Sequence, residues 1–239
     1  MSIRKASEEI EALRKASTRA VASFFTWFIA EYPKLIIQGS NVGLNESFTI
    51  YKNTSIKNHI RGSISSAAQR GSSACIMFYG QYYISGALGK PTKYDAVNAG
   101  MAGFISGGAS SFIHTLFEPM KIRHETIKWN VYKKAIVPMF WRHALFDMIF
   151  FSSTTALKDK PYSTQFAISA LAASCVNLFH DLWKTQLIKS LPKRIKFITT
   201  LKTLNPMELS KQMSWKGMDL GTNWWMTGFL YAAIYGNST

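Results

Sequence analysis

The chain has 239 residues, 47% apolar and 14% aromatic, with 28 Lys and Arg against 13 Asp and Glu, a formal net charge of +15. Its two cysteines, Cys75 and Cys175, fall inside apolar segments and form no CxxC or Cys/His spacing, which argues against a disulfide-built secreted scaffold and against a metal site. The excess of base suits nucleic acid, anionic lipid or an anionic small molecule alike, so its distribution has to decide.

Residues 1–17 form an N-terminal extension in which Arg4, Lys5 and Arg14 alternate with Glu8, Glu9 and Glu11. It has no apolar core of a secretory signal and is too acidic for a transit peptide, so targeting information is expected to be internal. Six segments of membrane length follow, at about 18–38, 62–88, 95–121, 138–157, 163–187 and 214–236. Each mixes Ser, Thr, Gly, Asn or Gln with its apolar residues, as suits a helix standing between lipid and a watery cavity. The bases gather outside them: Lys52, Lys57 and Arg61; then Arg123, Lys128, Lys133 and Lys134; then Lys189, Lys193, Arg194, Lys196, Lys202 and Lys211. The intervening connections, around Lys90 to Asp95 and Lys158 to Lys160, are short and nearly neutral. Long basic loops alternating with short ones predict that both termini share the short-loop side, with the basic loops in the negative compartment. A large soluble helical protein is the competing reading.

Three segments end alike. Glu31 precedes Lys34, Glu118 precedes Lys121 and Asp181 precedes Lys184, each an acid and a base three apart on one helix face. A charge at mid-membrane depth costs roughly 2.5–3.5 kcal/mol, so six of them require partners or water. A second pattern opens the alternate segments: Ile60-Arg61-Gly62, Trp141-Arg142-His143 and Trp215-Lys216-Gly217. Within the third segment Gly103 and Gly107 form a GxxxG spacing that permits close helix approach. Arg70, alone in an otherwise uncharged stretch, favours an anion, since its guanidinium fork matches phosphate or carboxylate. Phe150, Trp224 and Trp225 offer rings for stacking on a flat base, or for packing.

These residues resemble the mitochondrial carrier family, whose signature is Pro-x-Asp/Glu-x-x-Lys/Arg on three odd-numbered helices with an aromatic-basic-Gly opening on the even ones. The acid and base match in all three copies; the prolines are replaced by Ile29, Leu116 and Phe179, and the copies are shorter than the family's. Brevity and eroded prolines are similar to a viral branch of the family that moves nucleotides. The resemblance implies an all-α membrane protein with six transmembrane helices in three pseudo-symmetric repeats, residues 18–91, 92–162 and 163–239, around a central cavity. It further implies a gate in which Glu31 pairs with Lys121, Glu118 with Lys184 and Asp181 with Lys34, braced by Gln38. Gln69, Arg70, Phe150, Trp224 and Trp225 stand at the level of the family's substrate contacts. Arg61, Gly62, Trp141, Arg142, Trp215, Lys216 and Gly217 match its cardiolipin-binding helix starts.

The expected function is therefore alternating-access transport of a small anionic solute, a nucleotide or deoxynucleotide first, across the mitochondrial inner membrane, by a monomer with both termini in the intermembrane space. A transport-inactive structural or assembly protein on the same scaffold is the second reading. No HExxH, Ser/His/Asp set or glycine-rich phosphate loop points to an enzyme, and no cofactor or metal is expected. The aromatics lie apart from the basic loops, which opposes nucleic-acid binding. His114, His124, His143 and His180 are scattered and read as packed or interfacial residues.

Overall fold

The computed structural model describes residues 9, 10, 13, 14, 17, 18, 20–26, 44–88, 95–123, 129–190, 193, 195–207, 209, 210, 213, 222, 225, 226, 228–230 and 232–234. Glu31, Lys34, Gln38, Trp215, Lys216, Gly217 and Trp224 lie outside them, as do the side chains of Arg61 and Lys121. Among the described residues the protein is all-α, without a strand. Its helices are α1 (Leu44–Asn53), α2 (Ile56–Ala87), α3 (Asp95–Arg123), α4 (Trp129–Ala156), α5 (Tyr162–Ser190) and α6 (Phe197–Lys202). At 32, 29, 28 and 29 residues, α2 to α5 each exceed the length needed to cross a bilayer, about 20 residues. By length and apolarity together, one described helix qualifies as a span, over Thr164–Ile188.

The four long helices pack antiparallel in chain order, as their touching residues show. Gly100 faces Met148 and Ser152, Gly103 faces Asp147, and Gly107 faces His143, so rising numbers on α3 meet falling numbers on α4. Likewise Gly80 of α2 meets Ser106 of α3, while Ser73 lies farther along against His114. The α3–α4 seam is the most extensive, with α2 and α5 on its flanks and α5 also reaching α3. Its closeness has a simple cause. A Cβ on Gly103 would come within 2.5 Å of the Asp147 carbonyl oxygen, and one on Gly107 within 2.6 Å of that of His143. Only hydrogen fits between these backbones. Residues 20–26 are helical and lie along α2, where Gly71 meets the Ala20 carbonyl; farther up, the Tyr83 hydroxyl donates to Glu9 Oε1 at 3.2 Å.

Polarity is distributed inside out. On α3, Val97, Met101, Ile105, Phe112 and Leu116 are exposed, whereas Ser106, Ser110, His114, Thr115 and Glu118 are buried. On α5, Ile168, Leu171, Val176 and Phe179 face outward and Ser169, Ser174, Asn177, Asp181 and Lys184 face inward. The buried hydroxyls of α3 satisfy themselves locally: Ser110 donates to the Gly107 carbonyl at 2.9 Å and Thr115 to that of Ser111 at 2.7 Å. At the end of the bundle away from the basic connections an apolar cluster of Ala99, Phe150, Phe151, Phe166, Ala170 and Ala173 closes the interior. Its rings meet edge to face, Phe78 on Phe151 at 5.4 Å and Phe150 on Phe166 at 5.5 Å.

Two helix starts differ from the sequence expectation, and the first is that of the second segment, expected at residue 62 and found at Ile56. The fourth segment, expected to begin at residue 138, begins at Trp129, and Pro138 lies inside α4. Proline removes one backbone donor and crowds the carbonyl four residues back, which marks a helix start in isolation but is tolerated when both neighbouring turns are packed. The expected loops also carry helix. In α1, Glu46 in the first turn and Lys52 in the last complement the helix dipole.

Candidate functional site

The interior polar residues are not dispersed. Toward the end of the bundle bearing the basic connections they form one layer. It is built from Gln69 and Ser73 on α2, His114 and Glu118 on α3, Arg142 and His143 on α4, and Asn177, Asp181 and Lys184 on α5. The sequence places them there by helical spacing: 69 and 73, 114 and 118, and 177 and 181 are pairs four apart, which share a helix face.

Two ion pairs cross the layer. Lys184 Nζ lies 2.5 Å from Glu118 Oε1, joining α5 to α3, and Arg142 Nε donates to Asp181 Oδ1, joining α4 to α5. All four side chains are buried. In such surroundings a charge is tolerable when paired and hydrogen-bonded, and removing one partner strands the other.

Hydrogen bonds knit the pairs together. Gln69 Nε2 donates to His114 Nδ1 at 2.8 Å and stands 3.4 Å from Glu118 Oε2. Since His114 Nδ1 accepts, its proton is on Nε2, which donates to Ser73 Oγ at 2.5 Å. Arg142 spends a second donor on His143, NH1 to Nε2 at 2.7 Å, which sets that proton on Nδ1. The two imidazoles stack with centroids 3.7 Å apart. Asn177 Nδ2 donates to the Arg142 carbonyl at 2.7 Å. A continuous polar connection thus runs from Ser73 through the histidines to Asp181.

Beyond the layer, α6 is held against α5. Trp183 Nε1 donates to the Ile195 carbonyl at 2.8 Å, and Phe197 stacks on His180 at 4.8 Å. The turn of α5 carrying Asp181 and Lys184 is therefore anchored from outside as well as inside.

The residues singled out from sequence are placed as follows. Glu118 and Lys184 are brought together. Asp181 is partnered by Arg142, a residue expected at a helix opening for lipid phosphate. Arg142 instead stands well inside α4, with its guanidinium turned into the bundle, while the neighbouring Trp141 is exposed. Gln69 is fully buried in the network and Arg70, next along α2, is half-buried. Phe150 lies in the apolar cluster, and Trp225 is exposed. Arg61 and Gly62 fall in the first two turns of α2. The partners expected for Lys121 and Asp181, namely Glu31 and Lys34, lie outside the described residues, as do Gln38, Trp215, Lys216, Gly217 and Trp224.

Sequence reasoning missed the paired histidines, Ser73, Asn177 and the inward role of Arg142. The signal was available: His114 lies four before Glu118 and Asn177 four before Asp181, polar stripes within apolar segments. Among the described residues no cluster of three His, Cys, Asp or Glu is arranged to hold a metal ion. No known family model matches the sequence, and no curated protein matches it.

Proposed function

We propose that this chain is a multi-pass membrane transporter that carries a small anionic solute, a nucleotide or deoxynucleotide first, across the mitochondrial inner membrane by alternating access. The reading rests on one observation: two buried ion pairs cross a bundle whose outer faces are apolar and whose inner faces are polar. A soluble bundle would bury its Ile and Phe and expose its Asp and Lys. Here Asp181 and Lys184 are buried while Ile105, Phe112 and Ile168 lie outside, as suits a hydrocarbon solvent in which charged groups face the bundle interior and pair there.

In this reading the ion-pair layer is the gate on the side of the basic connections. Its pairs hold that mouth shut, and solute binding supplies the differential free energy that opens it. Three repeats, six crossings and both termini on the intermembrane-space side complete the proposal, with cardiolipin at the basic helix starts and a single chain enclosing the pathway. Arg70, half-buried beside the layer, is the residue proposed to meet the anionic group.

The test is uptake into proteoliposomes, screened against nucleotides, phosphate, carboxylates and amino acids. Uptake of an anionic solute is expected, and its loss in Arg70→Ala. The second reading, a scaffold that anchors or assembles other proteins without moving a solute, is favoured by the tight packing of Phe150 in the apolar cluster. It would be established by inserted, folded protein that moves none of these solutes.

A further inference from the structure

One buried carboxyl takes no part in the ion-pair layer. Asp147 stands one turn beyond His143 on α4 and is 2% exposed, lodged in the α3–α4 seam. Its Oδ2 has no hydrogen-bond partner among the described residues. What makes room for it is Gly107: a Cβ there would stand 2.5 Å from Oδ2 and 2.6 Å from the His143 carbonyl oxygen. Carboxyl and carbonyl therefore border the same small space. The charged groups acting on Asp147 are Arg142 of its own helix and Arg70 of α2. From α3 it meets Gly103 and Gly107; on α5, Asp181 of the layer is engaged by Arg142.

Among the described residues no donor solvates a carboxylate at Oδ2, and burying an ion without donors is costly. A proton removes that cost and converts the oxygen into a donor, for which the His143 carbonyl offers an acceptor across the gap left by Gly107. One oxygen facing one carbonyl is too few ligands for a metal cation, which takes four to eight. From this geometry we propose that Asp147 is a proton-binding site, and that its proton travels with the solute. In the gate-closed form described here the carboxyl is protonated. When the ion-pair layer opens and water reaches the seam, the proton leaves to water and the carboxylate faces the Arg70 and Arg142 guanidiniums. The coupling half of this proposal rests on the transport reading; the proton site does not.

Two measurements separate the two. Infrared difference spectroscopy of purified protein, unlabelled against [4-13C]aspartate-labelled, at neutral pH should show the stretch of a protonated, non-bonded or singly bonded carboxyl. The band should be lost in Asp147→Asn, an isosteric change, and in Asp147→Glu, whose carboxyl carries no label. Its absence in the wild-type protein overturns the proton site without reference to transport or to the folding of any variant. In proteoliposomes enclosing a pH-sensitive dye, uptake of ATP or dATP should be accompanied by a proton flux that Asp147→Asn loses while retaining nucleotide uptake. Nucleotide uptake with no proton flux in the wild type, or with an unaltered flux in the variant, overturns the coupling. Protein that shows the infrared band but moves none of the screened solutes refutes the transport reading and the coupling, and leaves the proton site standing.

Discussion

The imidazoles of His114 and His143 stack with their centroids 3.7 Å apart, one from α3 and one from α4. Each ring is oriented by its other contacts. Gln69 and Ser73 hold the first, and the Arg142 guanidinium holds the second. The stack therefore joins the α2–α3 half of the layer to the α4–α5 half, beside the direct Lys184–Glu118 link.

The Glu118–Lys184 pair should behave as a unit. Glu118→Gln or Lys184→Met alone removes one side of a buried ion pair and should cost about 3–5 kcal/mol of stability. The double variant removes both charges and should recover most of the loss. Thermal unfolding in detergent measures all three. Additive losses in the double variant would mean that the two groups do not interact.

Arg142 should not be replaceable by Lys. Its guanidinium serves Asp181 through Nε and His143 through NH1, two directions that one ammonium on a flexible stem cannot reproduce. Arg142→Lys should lower stability by about 1.5–3 kcal/mol, the range for a hydrogen bond to a charged group. Asp181→Asn in the same background should add less than it does alone, because the two changes share one contact.

Gly107→Ala should force α3 and α4 apart. Its new methyl would meet the His143 carbonyl oxygen at 2.6 Å, and backbone cannot move aside as a side-chain tip can. Overpacking of this kind costs about 1–3 kcal/mol. Gly86→Ala, with nothing within 4 Å, is the matched control and should be neutral or slightly stabilising. Equal melting temperatures for the two variants would mean that the α3–α4 seam tolerates a methyl group at residue 107.

The outward face of α3 separates lipid from water as its solvent. Ile105 is 48% exposed, so Ile105→Lys would be harmless in a soluble bundle. In a bilayer it places a charge toward hydrocarbon at a cost of about 2.5–3.5 kcal/mol, and recovery of protein in the carbonate-resistant membrane fraction should fall sharply. Ile198→Lys on α6, also exposed but outside the long helices, should leave recovery unchanged.

Much of the bundle is legible before any coordinates are known. The all-helical class follows from long apolar segments interrupted by basic connections, and α3 begins and ends within two residues of its expected span. The close α3–α4 seam is foreshadowed by Gly103 and Gly107 four apart. Spacing on one helix is a local property, and it announces which residues share a face: His114 with Glu118, Asn177 with Asp181.

Which face meets which is another matter. Arg142 opens an expected helix in the sequence but lies inside one in the structure, because the turns from Trp129 to Val137 are helical in spite of Pro138. That extension carries its guanidinium to Asp181, thirty-nine residues away in sequence. It also brings His143 onto His114 and wedges Asp147 against Gly107. The chain by itself determined its helices, its inward polar stripes and the glycines that let two backbones touch. Only the tertiary structure decided the partners, since ion pairing and stacking act over a few ångströms and depend on the rotation of each helix about its axis, which no single helix encodes.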